Sequence, residues 1–263
     1  MQEVTKRLIQ WTKEYFDRNN NGYAVIGISG GKDSTIAAAI LKEAIGAENI
    51  IAVMMPNGKQ HDIRDSYTVC ELLHIPEENR YEVNIESAYT ELLKSIYEGN
   101  SNEDDHWHRW YNNDNIRTNL PSRLRMCTLY TIAANYGDAR VVNTSNRSER
   151  YIGYSTKYGD GAGDFSLFGN LTVREVLAIG DDLGLPYELV HKAPSDGMSG
   201  QTDEDKIGFT YNELDNYLLE EEGVIEIATL MKIERKHKIN QHKILSMPMF
   251  NPWTDDGEVG YEG

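Results

Sequence analysis

Two glycines, a lysine and an aspartate stand in a row within Y-A-V-I-G-I-S-G-G-K-D-S-T, residues 23–35. Residues 24–28 are a short apolar run with β-branched side chains, the mark of a strand buried on both faces. Ser29, Gly30 and Gly31 then supply a tight turn, and an alanine-rich helical run extends from Ser34 to Ala44. Glycine lets backbone approach an anion closely, and the first turn of a helix presents unpaired N–H groups backed by a favourable dipole. Strand, glycine turn and helix start add up to a phosphate cradle. Two common cradles are excluded by their letters. A P-loop needs G-x-x-x-x-G-K-[ST] and a dinucleotide fingerprint needs G-x-G-x-x-G. The run Gly27, Ile28, Ser29, Gly30, Gly31, Lys32, Asp33 fits neither.

The elements that must position this cradle alternate along the chain. Val4, Leu8, Trp11 and Tyr15 recur at helical spacing, so residues 1–13 read as an amphipathic helix without the apolar centre of a signal peptide. A helix over 35–44 stops at Gly46, followed by a strand at 50–55, a helix at 62–73, a strand at 81–85 and a helix at 87–97. Residues 99–118 break the pattern. They are acidic yet carry Trp107, Trp110 and Tyr111, which suggests a loop that orders over a ligand or partner. His106 and His108 have no third metal ligand near them and read as solvated loop side chains. Pro121 starts a helix through Asn135, then come a strand at 140–143 and a glycine-rich segment to Gly169. A helix at 172–183, a fifth strand at 187–191, an open loop at 194–201 and two helices over 203–240 joined at Gly223 complete the pattern. Such alternation predicts an α/β fold, a parallel sheet with helices on both faces.

Composition narrows the partners. A chain of 263 residues is long enough for one large α/β domain, read here as residues 1–250 with a flexible tail at 251–263. With 26 basic against 42 acidic residues the net charge is −16, which sets nucleic acid aside as the main partner. A small anionic substrate remains open, since it needs only a local basic pocket. No apolar run approaches the ~20 residues that span a bilayer. Cys70 and Cys127 lack metal-site spacing and fit free thiols in a reducing cytoplasm.

The loop resembles the S-G-G-x-D-S pyrophosphate loop of the N-type ATP pyrophosphatases, which cut ATP between its α and β phosphates. The resemblance implies that Gly27, Ile28, Ser29, Gly30, Gly31, Lys32, Asp33 and Ser34 bind ATP. It also gives Asp33 a purpose, holding Mg²⁺ against the leaving pyrophosphate, with Lys32 beside it as a second catalytic group.

Four further stretches resemble the NAD synthetases within that family. N-L-P-S-R-L-R-M at 119–126 is similar to N-x-x-A-R-x-R-M and implies that Arg123 contacts the deamido-NAD substrate, as a guanidinium suits phosphate or carboxylate. N-T-S-N-R-S-E at 143–149 resembles G-T-x-N-x-S-E, which implies ATP binding by Thr144 and Mg²⁺ binding by Glu149. It follows a strand, at the carboxyl edge where open α/β sheets bind ligands, so Glu149 and Asp33 can share one metal. G-Y-S-T-K-Y-G-D-G-A-G-D at 153–164 is the strongest substrate marker and implies that Lys157 and Asp164 bind deamido-NAD. Asp160 and Asp164 are also read as carboxylates that attract ammonium and accept its proton. P-S-D-G-M-S-G-Q-T-D-E at 194–204 puts Ser195 at an ATP-contacting position. G-F-T-Y-N-E-L-D at 208–215 reads as a packing signature, and His242 with Lys243 resembles the start of a substrate-contacting H-K-R.

The resemblance covers residues 23–248 and implies a doubly wound five-stranded parallel sheet of order 3-2-1-4-5, adenine nucleotide α-hydrolase-like, with extra C-terminal helices. It implies amidation of deamido-NAD with ammonia through an acyl adenylate, releasing AMP and pyrophosphate, by a cytoplasmic homodimer. These 263 residues leave no room for a glutaminase domain, so free ammonia or a separate glutaminase is the expected nitrogen source. Two positions depart from the pattern: Val173 replaces an ATP-contacting lysine, and Ile244 the arginine of H-K-R. Arg174, one residue on, points about 100° away on a helix and does not substitute. Two alternatives stay open: a related pyrophosphatase amidating another acceptor, and a non-catalytic nucleotide sensor, against which Asp33 and Glu149 count.

Overall fold

The computed structural model of this chain describes residues 1–20, 22–60, 63–99, 111–191, 202–221 and 225–250. Five parallel strands, β1 Tyr23–Gly27, β2 Ile50–Met54, β3 Arg80–Glu82, β4 Ala139–Asn143 and β5 Phe165–Ser166, form one sheet of order β3-β2-β1-β4-β5. Around it lie α1 Gln2–Asn19, α2 Lys32–Ile45, α3 Ile63–Leu72, α4 Glu86–Gly99, α5 Asp114–Tyr136, α6 Arg147–Ile152 and α7 Val173–Asp182. They are followed by α8 Tyr187–Val190, α9 Asp203–Ile207, α10 Tyr211–Leu218 and α11 Ile227–Ile244.

The period of two along each strand divides the core between the two faces of the sheet. Ala24 and Ile26 of β1 and Ala52 and Met54 of β2 join Ile36, Ile40 and Val176 of α2 and α7 on one face. Val25, Ile51, Val53 and Val141 pack with Met126 and Leu129 of α5 on the other. All five residues of β2 are buried, which is why its sequence is an unbroken apolar run. A third cluster, including Ile152, Val173, Tyr211, Leu214 and Ile233, ties the C-terminal helices to α6 and α7. Among the described residues no helix is long and apolar enough to cross a membrane.

Three sequence expectations are corrected. The fifth strand is not at 187–191, where Pro186 caps the short helix α8 and buries Leu189 and Val190. It is the two-residue β5 inside the glycine-rich segment, pairing Phe165 with Val142 and Ser166 with Asn143. A strand so short has no readable period, whereas Y-E-L-V is an apolar run that suits either state. Pro121 does not begin its helix. The Asn113 side chain caps α5 by accepting N–H bonds from Asn115 and Ile116, and Pro121 lies inside the helix. Residues 114–118 of the expected loop are therefore helical, while Trp107, Trp110, His106 and His108 lie outside the described residues. Finally, the described residues of 203–240 hold three helices, because Gly208 at φ 82° and the Thr210 cap end one and start the next. Gly223 and the tail at 251–263 are outside the described residues.

Candidate active site

The strand order reverses between β1 and β4, so the chain leaves these neighbouring strands in opposite directions and opens a crevice at their carboxyl ends. From β1 the chain passes through Ile28, Ser29, Gly30 and Gly31 into α2, whose N-terminus has no side-chain cap. Its first-turn N–H groups thus remain for an anion. The turn is braced by its own serines: the hydroxyls of Ser29 and Ser34 lie 3.1 Å apart, and the Gly31 N–H donates to Ser29 Oγ at 3.2 Å. Gly30 has φ +76°, and a Cβ there would stand 2.7 Å from the Cβ of Asp65, so no other residue fits without displacement.

From β4 the chain passes through Thr144, Ser145 and Asn146 into α6, which carries Glu149. Asn146 is fully buried and joins the two sides of the crevice. Its Oδ1 accepts the Glu149 N–H at 3.0 Å, its own N–H donates to Glu149 Oε2 at 3.3 Å, and its Nδ2 donates to Asp33 Oδ1 at 3.4 Å. Sequence reasoning named Thr144 and Glu149 and passed over Asn146, although N-x-x-E is a legible capping box. Across the crevice, Lys32 Nζ lies 2.7 Å from Asp33 Oδ2, with the lysine buried.

The electrostatics are those of a site short of positive charge. Burial pushes the Glu149 carboxyl up to about 8, the nearby Asp33 carboxylate adds to this, and Lys32 only partly offsets it. Burial acts to lower the Lys32 ammonium, but Asp33, Glu149 and Asp203 outweigh it and hold the lysine above its ordinary value. Two carboxyl groups share one ammonium, so Glu149 holds its proton near neutral pH until a further cation arrives beside the phosphate cradle. That donor set fits Mg²⁺, which takes one or two carboxylates and completes its shell with water and substrate phosphates. Among the described residues no group of three or more His, Cys, Asp or Glu is placed to hold a metal.

The two aspartates of the glycine-rich segment lie in different surroundings. Asp160 Oδ1 accepts from the Ser122 hydroxyl at 2.7 Å and from the Thr156 N–H at 2.8 Å, while its own N–H donates to Ser122 Oγ at 2.9 Å. Gly159 permits this contact, since a Cβ there would fall 2.3 Å from Ser122 Oγ. Asp160 also acts electrostatically on Glu149, Arg125 and Lys243. Asp164 instead accepts the Val141 N–H at 2.7 Å and the Tyr130 hydroxyl at 3.2 Å, and faces Tyr15. The charge of Asp160 thus acts on Glu149, and that of Asp164 on Tyr15 and Tyr130.

The basic residues expected to hold substrate do converge. Arg123 Nε donates to the Lys157 carbonyl at 3.2 Å, Lys157 Nζ donates to the His242 carbonyl, and Lys243 Nζ donates to the Gly153 carbonyl at 3.0 Å. Lys243 and Ile244 line a cavity of about 210 Å³ with Asn143, Ser145, Arg150 and Ser155. A larger depression of about 840 Å³ lies along α1 and is lined by Arg150 and Leu171 but by neither Asp33 nor Glu149. Ser195 lies outside the described residues.

A family model described as NAD synthase matches residues 4–249 of this chain. The chain belongs to the NAD synthase family. It is 34% identical over 249 residues to the NH3-dependent NAD+ synthetase of Carboxydothermus hydrogenoformans, covering 94% of this chain and 98% of that one. Among solved structures, the NMN synthetase of Francisella tularensis superposes with a TM-score of 0.82 at 31% identity, over 95% of this chain and 98% of that chain. The NH3-dependent NAD synthetase of Campylobacter jejuni gives 0.72 at 25% identity, over the same shares.

The two departures from the family's pattern have structural accounts. Val173 is buried in the third cluster and donates its N–H to Ser148 Oγ at 3.2 Å. Arg174 is committed elsewhere, to Glu221 at 2.8 Å and Asn212 at 2.9 Å, so it does not take over a nucleotide contact. Ile244 adds an apolar wall to the smaller cavity next to Lys243.

Proposed function

We propose that this chain is an ammonia-dependent NAD synthetase, and the observation that carries the reading is the meeting of Asp33 and Glu149 through Asn146 beside the glycine cradle. The carboxylate of nicotinic acid adenine dinucleotide attacks the α-phosphorus of ATP, the α–β bridge bond breaks, and an acyl adenylate and pyrophosphate result. Ammonia then adds to the acyl carbon and AMP leaves, giving the amide of NAD+. Adenylation is needed because a free carboxylate would have to expel oxide. The Gly30 N–H and the first turn of α2, with the Ser29 and Ser34 hydroxyls beside them, receive the charge that builds on pyrophosphate. Lys32 neutralises that charge from the α2 side, and Thr144, Ser195, Gly27, Ile28 and Ser34 complete the ATP site. Mg²⁺ held by Asp33 and Glu149 would supply Lewis-acid stabilisation of the same phosphates.

Arg123, Lys157, His242 and Lys243 form the acceptor's anion site in this reading, supported by the hydrogen bonds that join their segments. In this reading Asp160 takes the proton of ammonium at its exposed carboxylate, whereas Asp164, held by the Val141 N–H, positions the acceptor's pocket. Asp160→Asn is accordingly expected to raise KM for ammonium and cut turnover about 10²-fold. Asp164→Asn should leave the ammonium KM unchanged and raise that of the acceptor; steady-state kinetics with each substrate varied will check both. The working form is a homodimer in the cytoplasm, with ammonia taken free or from a separate glutaminase.

The likeness to an NMN synthetase favours a second reading, in which the acceptor is nicotinic acid mononucleotide. One assay tests both. Enzyme, ATP, Mg²⁺ and ammonium with either acceptor should yield AMP and pyrophosphate, and the ratio of kcat/KM for the two acceptors identifies the preferred one. Formation of ADP, or no turnover with either, contradicts the proposal.

A further inference from the structure

Tyr211, at the first position of α10, is 5% exposed, and its hydroxyl is a buried polar side-chain atom with no hydrogen-bond partner among the described residues. Its ring is otherwise an ordinary member of the apolar cluster that includes Ile152, Val173 and Leu214. A phenylalanine would satisfy that packing. Leaving a buried donor unsatisfied is costly, so an orphan hydroxyl in a packed helix start calls for a partner that comes and goes. The surroundings say what that partner is. Lys32 Nζ sits 5.9 Å from the centre of the Tyr211 ring, a cation–π arrangement. The carboxylates of Glu149, Asp203 and Asp33 act on the phenol from beyond hydrogen-bonding reach. Burial first, and these carboxylates next, push the phenol above its ordinary range, so it stays protonated and able to donate. Asp203 already accepts the Tyr154 hydroxyl at 2.9 Å, which leaves Tyr211 as the donor still facing the acid cluster.

We propose that the Tyr211 hydroxyl is a further binding group of the phosphate site, donating a hydrogen bond to a non-bridging oxygen of the leaving pyrophosphate while its ring braces Lys32 beneath the same group. This rests on the reading above, in which pyrophosphate departs between the glycine turn and the pair Asp33 and Glu149. No bond is made or broken at Tyr211, and its proton stays in place. The hydroxyl comes from the start of α10, a different element from the turn before α2 that carries the loop N–H groups. It thus helps the site hold pyrophosphate better than AMP.

Calorimetry of Mg²⁺-pyrophosphate and of AMP binding to the full-length enzyme and to Tyr211→Phe tests this, with melting curves of both. A hydrogen bond to a charged acceptor corresponds to about tenfold or more in affinity. Tyr211→Phe should therefore bind Mg²⁺-pyrophosphate about tenfold more weakly, bind AMP as before, and melt at the same or a higher temperature. Its kcat should fall while KM for the acceptor holds. Unchanged pyrophosphate affinity, or an equal loss for AMP with a lower melting point, would overturn the proposal. If the unsubstituted enzyme formed ADP, the parent reading would fall and take this one with it. If it forms AMP and Tyr211→Phe binds pyrophosphate normally, this inference alone fails.

Discussion

Glu149→Gln should abolish amidation, by about 10³-fold or more, and yet give a metal-free protein that melts a few degrees higher. A loss of that size is what removing one of two ligands to a catalytic ion brings, since the ion supplies several kcal/mol of charge stabilisation. The gain in stability has a separate cause. Burial and the Asp33 carboxylate push Glu149 up to about 8, above the 4.5 of a free glutamate, so the folded chain resists its ionisation. For an acid whose pKa is raised by folding, stability is greatest while it is protonated and declines as pH climbs from the unfolded value towards the folded one. Metal-free enzyme should accordingly lose stability between about pH 4.5 and pH 8. Glutamine, which keeps the shape and the Asn146 contact without the charge, should flatten that slope. Thermal melts across this range, with and without Mg²⁺, check the sign.

Lys32→Met should produce the opposite pattern in stability with a similar loss of turnover. The ammonium stands 2.7 Å from Asp33, and its removal leaves the Asp33 carboxylate without its partner beside the protonated Glu149. Breaking a buried pair by deleting one partner costs about 3 kcal/mol or more. In a domain of this size that is a fall of about 6–12 °C in melting temperature. Adding Asp33→Asn to the same chain should restore most of the lost stability, because the stranded charge is gone, while activity stays absent. A double-mutant cycle on melting temperature and kcat separates the two effects. If Lys32→Met melts like the unsubstituted enzyme, the charge balance described for the cleft is wrong.

The parts of this site that were readable in the sequence are those that sit on local signals. The glycine turn between β1 and α2, the strand before Thr144 and the acids Asp33 and Glu149 are placed by short-range patterns, and the crevice follows from the strand order. Asn146 was legible as a capping residue, but its reach to Asp33, 113 positions away, depends on how β1 and β4 pair. Tyr211 read as packing because its ring does pack; only the tertiary structure shows a hydroxyl without a partner. The separation of Asp160 from Asp164 was equally hidden. Four residues apart in a glycine-rich turn they look equivalent, and only the Ser122 hydroxyl on one and the Val141 N–H on the other tell them apart. The misplaced fifth strand has the same origin, since a two-residue strand is defined by its neighbour β4 and by nothing of its own.

A crystal of the enzyme grown with Mn²⁺ and pyrophosphate, with the metal located by its anomalous scattering, would test the shared-metal site most directly. The expected result is one metal within about 2.1 Å of a carboxylate oxygen from Asp33 and one from Glu149, its remaining ligands including pyrophosphate oxygens against the residues 29–31 turn. A metal held by one of these acids alone, or pyrophosphate seated away from that turn, would contradict it.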